Sequence, residues 1–271
     1  MSQLKVGFIG VGNMASAILK AMLRSQSIFP ENVWITNRTE GKLAKIQEEF
    51  PVHAVKTNEE LVENVEVVIL GVKPQDFFEV LEPLSTLIPA TSVVISMAAG
   101  IPLNSIKKVL HNSPRVARIM PNTPVEIGKG VVGVAVPSDA KGLDTTIAEL
   151  FKPLGLVVPV TEGDMFEALT VACGSGTGFV FELLQYWQEW IEGYGFESDI
   201  SRKMAVQTFL GAALLAERNE TQSLDTLQSR VVSKKGVTFA GLESMRELEI
   251  ERALRYSFEK AVLRDREIGK K

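Results

Sequence analysis

Short apolar runs alternate with amphipathic stretches of helix length through the first half of the chain. The runs fall at residues 4–9, 33–36, 65–70, 92–96, 115–119, 131–136 and 156–160. They are rich in Val and Ile and hardly interrupted by polar residues, as strands covered on both faces are. Between them, residues 14–24, 40–49, 58–63, 75–81 and 103–110 read as helices. This alternation predicts parallel βαβ units with right-handed crossovers. A sheet of that kind gathers ligands at the carboxyl ends of its strands.

The pattern changes at Thr161-Glu162-Gly163. Beyond it, apolar positions recur only at helical spacing: Phe179, Leu183, Leu184, Trp187, Trp190 and Ile191, and later Ile250, Ala253, Leu254, Phe258, Ala261 and Val262. Residues 201–218 are helical by composition. The expected fold class is an α/β N-terminal Rossmann domain with a mostly parallel sheet, residues 1–161, followed by an all-α C-terminal domain, residues 162–271. A helical layer of about 110 residues with stripes this wide buries its faces poorly alone. A second copy would cover them, so this half reads as a dimerisation domain. The charged end, residues 264–271, is expected to fray.

Composition narrows the function classes. One cysteine, Cys173, permits no intramolecular disulfide and no Cys-based metal site, which suits a reducing compartment. The two histidines, His53 and His111, lie far apart, so no metal is expected. A formal net charge of −4 argues against the basic face of a nucleic-acid binder. No apolar window reaches the length of a membrane span, and a strand starting at Leu4 leaves no room for a leader. The expectation is a cytoplasmic protein without nucleic-acid or membrane partners.

Gly10-Val11-Gly12-Asn13-Met14-Ala15 sits between the first strand and the first helix and is the G-x-G-x-x-A form of the dinucleotide fingerprint. Gly10 permits a tight turn, Gly12 lets backbone approach a pyrophosphate, and Ala15 keeps helix and strand close. The second strand ends in Asn37-Arg38-Thr39, where NAD enzymes carry an acid for the ribose hydroxyls. A guanidinium in its place suits a 2′-phosphate, so the cofactor is read as NADPH, with NADH possible. Three further strand ends should reach the same edge: Val72-Lys73-Pro74, then Ala98-Ala99-Gly100, then the run from Arg118 to Pro124 that contains Asn122.

A second cluster lies near the C-terminus, in Ser233-Lys234-Lys235-Gly236-Val237-Thr238. Two hydroxyls, two cations and a glycine before helix-favouring sequence are the chemistry of an anion-holding loop at a helix N-terminus. The plainer reading is a helix N-cap in which Thr238 satisfies one backbone donor, worth about 1 kcal/mol. Gly174-Ser175-Gly176-Thr177-Gly178 also has two readings: close helix–helix packing, or a turn that brings Ser175 to a substrate pocket.

Together these segments resemble pyrroline-5-carboxylate reductases over nearly the whole chain. The matching parts are Gly10 to Ala15, Val72 to Gln75, Arg118 to Pro124, Gly174 to Gly176, Thr208 to Ala213 and, most specifically, Ser233 to Leu242. The resemblance implies reduction of the cyclic imine 1-pyrroline-5-carboxylate to proline, a Rossmann domain, a helical dimerisation domain and often a ring of dimers. On that reading the substrate carboxylate sits on the backbone N–H groups of Gly236, Val237 and Thr238 with help from Ser233. The Thr238 hydroxyl faces the ring nitrogen, and Ser175 lines the pocket. The match has departures: in the loop Lys235 stands where glycine is usual and Val237 where threonine is, and upstream Gly176-Thr177-Gly178 stands where Gly-Pro-Ala is common. Lys235 would be restricted if that position needs a positive φ.

Two other classes compete. A β-hydroxyacid dehydrogenase would carry a catalytic lysine early in its long helix, and residues 179–191 contain none. A non-catalytic nucleotide-binding relative would hold NADPH without turning over any imine.

Overall fold

The computed structural model describes residues 4–111 and 115–269. Strands and helices alternate as β1 (Val6–Ile9), α1 (Asn13–Arg24), β2 (Val33–Thr36), α2 (Glu40–Gln47), β3 (His53–Ala54), α3 (Asn58–Asn64), β4 (Val67–Leu70), α4 (Phe77–Leu81), β5 (Val93–Ser96), α5 (Leu103–Val109), β6 (Arg115–Pro121), β7 (Gly130–Ala135), α6 (Leu143–Phe151) and β8 (Gly155–Pro159). Five helices follow among the described residues: α7 (Asp164–Leu169), α8 (Gly176–Glu192), α9 (Ser198–Arg218), α10 (Leu224–Ser229) and α11 (Val237–Glu247). A last helix, α12, spans Ile250–Ile268. The α/β half with its mostly parallel sheet and the all-α half are as the alternation requires.

One sheet holds all eight strands in the order β3-β2-β1-β4-β5-β6-β7-β8. Every pairing is parallel except β6 with β7. The chain winds outward from β1 through β2 to β3, then returns to the other side of β1 for β4 and β5. The crevice at the carboxyl ends of β1 and β4 is therefore the topological switch point where dinucleotides lie.

Alternate residues of each strand feed opposite faces of the sheet. Phe8, Val67 and Ile69 join Ile18, Leu19 and Met22 of α1 in one core. Ile9, Val68 and Leu70 join Leu61 of α3, Phe77 and Leu81 of α4 and Ile106 of α5 in the other. Each such side chain contributes about 1.5–3 kcal/mol by leaving water. Coverage on both faces explains why the strands read as unbroken apolar runs.

In the α/β half two elements escape the sequence pattern. β3 is two residues long, too short for an apolar run; its His53 stacks on Trp34 at 4.6 Å and its Nε2 lies 3.0 Å from the Glu31 carbonyl. α6 begins after Gly142 and buries Leu143, Ile147, Leu150 and Phe151. The end of α12 is more ordered than its charge suggests. It stays helical to Ile268 because Arg266 reaches Asp164 at 2.9 Å and Glu167 at 2.6 Å; Lys270 and Lys271 lie outside the described residues.

By compactness the chain divides into two units. The first runs to Thr177 and takes in the residues from Ala261 onward; the second is Gly178–Lys260. The first unit extends past residue 161 because Phe166 and Leu169 of α7 are buried in the second core. Within the second unit, Trp187 packs edge-on against Phe209 at 5.2 Å and Phe179 lies 5.4 Å from Phe258. Trp190, Tyr194, Leu215 and Leu224 of this unit are exposed in the single chain.

Candidate active site

The fingerprint loop forms a cradle at the switch point. Gly10 has φ +84°, a conformation only glycine adopts cheaply, and its N–H donates to the Thr36 carbonyl at 2.9 Å. A Cβ there would stand 2.9 Å from the Val72 side chain. Gly12 is the N-cap of α1 and carries no side chain to cap it, so the first N–H groups of α1 stay free for an anion. Ala15 is fully buried and approaches Gly71 so closely that a Cβ on that glycine would meet it at 2.7 Å. Asn37 ties the loop to the end of β2: its Oδ1 accepts from Val11 N–H at 3.2 Å, and its Nδ2 donates to the Thr39 carbonyl at 3.0 Å.

A cleft of about 490 Å³ opens beside this cradle. Gly10, Gly12, Asn37, Arg38, Thr39, Val72 and Lys73 line it together. Asn13, Met14 and Ala15 lie in the first turn of α1, and Pro74 opens the short 3-10 turn after Lys73. Two cations that the sequence reading passed over, Lys42 and Lys56, share the cleft wall with Arg38. Lys42 lies on α2 and Lys56 just before α3, so neither belongs to the strand-end motif that singled out Arg38. Only the fold brings the three together.

The other strand-end loops lie further along the same edge. Ala98 is buried, and its N–H donates to Ser96 Oγ at 3.2 Å. Gly100 turns the chain with φ +71°. Asn122 is buried with both ends of its amide engaged: Oδ1 accepts from Val131 N–H at 2.8 Å, and Nδ2 donates to the Cys173 carbonyl at 3.2 Å. That carbonyl belongs to a π-helical turn, Thr170–Gly174, closed by Ser175 N–H on the Thr170 carbonyl at 2.9 Å. Such turns recur at functional sites. Ser175 is exposed at its end. Burial pushes the half-buried Cys173 thiol above its ordinary range.

In the second unit, residues 233–238 lead into α11. Lys235 has φ +60°, and Gly236 is the helix N-cap with no side-chain cap. A Cβ on Gly236 would collide with Ser233 Oγ. Val237 is 94% exposed. Among the described residues, neither the Ser233 nor the Thr238 hydroxyl makes a hydrogen bond. The capping role open to Thr238 from the sequence is therefore not the one it plays, and the first turn of α11 has no side-chain cap.

Among the described residues, no group of three or more His, Cys, Asp or Glu is placed to hold a metal ion, and no helix is long and apolar enough to cross a membrane.

Comparison with known proteins places both halves. Residues 5–100 match the family model described as NADP oxidoreductase coenzyme F420-dependent, and residues 163–268 match pyrroline-5-carboxylate reductase dimerisation. The second match marks the helical half as an oligomerising one. A pyrroline-5-carboxylate reductase of Methanosarcina acetivorans is 32% identical over the full length of both chains. The structure of a pyrroline-5-carboxylate reductase from Coxiella burnetii superposes with a TM-score of 0.91 at 30% identity, covering 100% of each chain. That of a Plasmodium falciparum pyrroline carboxylate reductase with NADP bound shares the fold, with a TM-score of 0.88 at 21% identity over 99% of each chain. With full-length identity at this level and a matching fold in both halves, the chain belongs to the pyrroline-5-carboxylate reductase family.

Proposed function

We propose that the protein reduces 1-pyrroline-5-carboxylate to L-proline with NADPH, NADH serving less well. The observation that carries this reading is the uncapped N-terminus of α11 with the Ser233 and Thr238 hydroxyls unengaged, in a chain of this family. A small carboxylate fits that loop: the N–H groups of Val237 and Thr238 present donors, the helix dipole favours the negative charge, and Ser233 adds a hydroxyl, whereas the Gly236 N–H expected to join them already donates to the Ser233 carbonyl at 2.9 Å. Lys234 and Lys235 strengthen the local positive field without needing to touch the ligand.

The residues of the first unit fit a dinucleotide. The free N–H groups after Gly12 suit a pyrophosphate, with Asn13, Met14 and Ala15 in the turn that receives it, and Arg38, Thr39, Lys42 and Lys56 suit a 2′-phosphate. Val72, Lys73, Pro74, Ala98, Ala99 and Gly100 offer small or stiff backbone to the rest of the cofactor, while Asn37 and Asn122 hold the loops in place. When bound, the cofactor supplies a hydride to the imine carbon.

The protein's own part is position and electrostatics. The α11 loop fixes the carboxylate, and Thr238 Oγ1 holds the ring nitrogen, which takes its proton from solvent as the C=N bond becomes C–N. Ser175, at the end of the π-helical turn, lines the substrate pocket. No nucleophile is required.

The functional boundary is read at residue 161, with 1–161 holding the dinucleotide and 162–271 the substrate and the dimer contacts. The exposed aromatic and aliphatic side chains of α8, α9 and α10 support a homodimer, and a ring of dimers is the larger assembly proposed. The lone Cys173 suits the cytoplasm.

The test follows the absorbance of NADPH and, in parallel, NADH with 1-pyrroline-5-carboxylate, for the wild type and Thr238→Ala. Saturable oxidation that falls about 10²-fold in the variant, with NADPH still bound, is expected for a lost transition-state contact. Binding of NADPH without oxidation in the wild type would make the protein a dinucleotide-binding relative. Unchanged turnover in Thr238→Ala would remove that residue from the mechanism.

A further inference from the structure

The loop after β5, residues 97–103, is gripped from behind by residues that no part of the proposed mechanism uses. Ile9, Leu70 and Ser96 are in register across β1, β4 and β5, so this loop leaves the sheet two strands from the fingerprint. The cations for the adenosine half lie on the β2 side of the switch point. The other half of a dinucleotide laid across it runs toward β4 and β5. The loop thus faces the nicotinamide half, an argument that rests on the function proposed above.

The far end and the middle of the loop are held by the segment around α7. At the far end, Glu162 Oε1 accepts from Leu103 N–H at 3.3 Å, supplying α5 with the cap that Pro102 lacks. The same oxygen is 2.6 Å from Arg118 Nη1. Arg118 is 5% exposed, and its guanidinium lies 4.1 Å over the Phe166 ring. Its Nε has no partner, so burial of this cation is costly and its ion pair is the compensation.

In the middle, Gly100 meets the end of α12. A Cβ on Gly100 would stand 2.6 Å from Gly269 N, and a Cβ on Gly269 would collide with the Gly100 carbonyl. Arg266, one turn back, anchors that end to Asp164 and Glu167 of α7. Residues 162–167 therefore hold Leu103 directly and hold Gly100 through α12.

We propose that Arg118, Glu162 and the Arg266–Gly269 turn are positioning residues that fix the 97–103 loop for the nicotinamide end, and so set the rate of hydride transfer without touching either reactant. They act on orientation, so their loss lowers kcat while leaving the affinity contributed by the adenosine half.

The experiment compares Glu162→Ala, Glu162→Gln and Gly269→Val with the wild type. It reads kcat with the imine, NADPH Kd by fluorescence titration, melting temperature, and amide hydrogen exchange of residues 97–103 without ligand. Glu162→Ala and Gly269→Val are each expected to lower kcat about tenfold, as a slightly misplaced reactant does, and to speed loop exchange, with Kd changed less than about twofold. Glu162→Gln keeps the carbonyl that caps Leu103 and recovers most of the loss. A kcat within about twofold of wild type in both variants overturns the proposal, and so does loss of kcat, Kd and melting temperature together. An inactive wild type that binds NADPH sinks the reductase reading instead. The positioning role is then decided by exchange and Kd: unchanged exchange, or a Kd that weakens with it, overturns the proposal.

Discussion

Ser233 Oγ occupies the space that a Cβ on Gly236 would need. The hydroxyl is packed over the N-cap of α11, and the Gly236 N–H donates to the Ser233 carbonyl at 2.9 Å. Glycine at 236 is what leaves room for the hydroxyl over the helix N-cap. Gly236→Ala must push Ser233 away or open the turn. Imine-dependent turnover is expected to fall about 10²-fold, the cost of displacing a reactant by roughly an ångström, while NADPH titration is unchanged. Steady-state kinetics beside a dinucleotide titration checks it; turnover within a few-fold of wild type would show that Ser233 and the cap need not meet.

Lys235 sits at φ +60°, where the family usually has glycine. A left-handed lysine costs about 1–2 kcal/mol of strain, and a glycine there costs about 0.5–1 kcal/mol of extra unfolded-state entropy. The two nearly cancel. Lys235→Gly should hold or slightly raise the melting temperature, and Lys235→Val, whose branched Cβ resists this conformation, should lower it. Thermal unfolding of both variants in parallel decides the point, and a clear drop in Lys235→Gly would mean that the ammonium group, rather than the backbone, matters here.

The strand–helix alternation made the α/β half readable because double coverage forces apolar runs, and Gly10 declares itself through the G-x-G-x-x-A fingerprint that it opens. β3 was invisible because two residues make no run. The Asn122 amide drew notice as a strand-end residue, but its bond to the Cys173 carbonyl depends on a turn fifty residues away that no local pattern announces. The Thr238 hydroxyl stood out by type alone; its lack of any hydrogen bond became visible only with the helix start at Val237. Lys42 and Lys56 were missed because each sits on a different element from Arg38.

That convergence of Arg38, Lys42 and Lys56 on one cleft predicts how the cofactor is chosen. All three side chains are exposed, so each acts as a point charge on a doubly charged phosphate and not as a buried partner. Replacing any one by Ala should raise the NADPH KM about 3–10-fold, worth about 1 kcal/mol, and leave the NADH KM nearly alone. The NADPH preference should also shrink as salt is raised. Parallel kinetics with the two cofactors read this directly, and equal losses for NADH would assign the cations to the pyrophosphate.

Asp265, on the last turns of α12, gives the fold a pH dependence of definite sign. Burial raises its pKa, the nearby Arg118 charge draws it back only in part, and Glu167 raises it further. An acid with a raised folded pKa binds more protons folded than unfolded across the interval between the two values. Its contribution to stability is full below the unfolded value and is lost as pH rises through the folded one. Wild-type melting temperature should therefore carry a falling component as pH climbs out of the ordinary aspartate range. Asp265→Asn, which cannot ionise, should lack that component and melt no lower than wild type at neutral pH. Melting curves of both proteins from acid to neutral pH measure the difference. An Asn variant that melts lower at neutral pH would show that attraction to Arg118 outweighs the cost of burying the carboxylate.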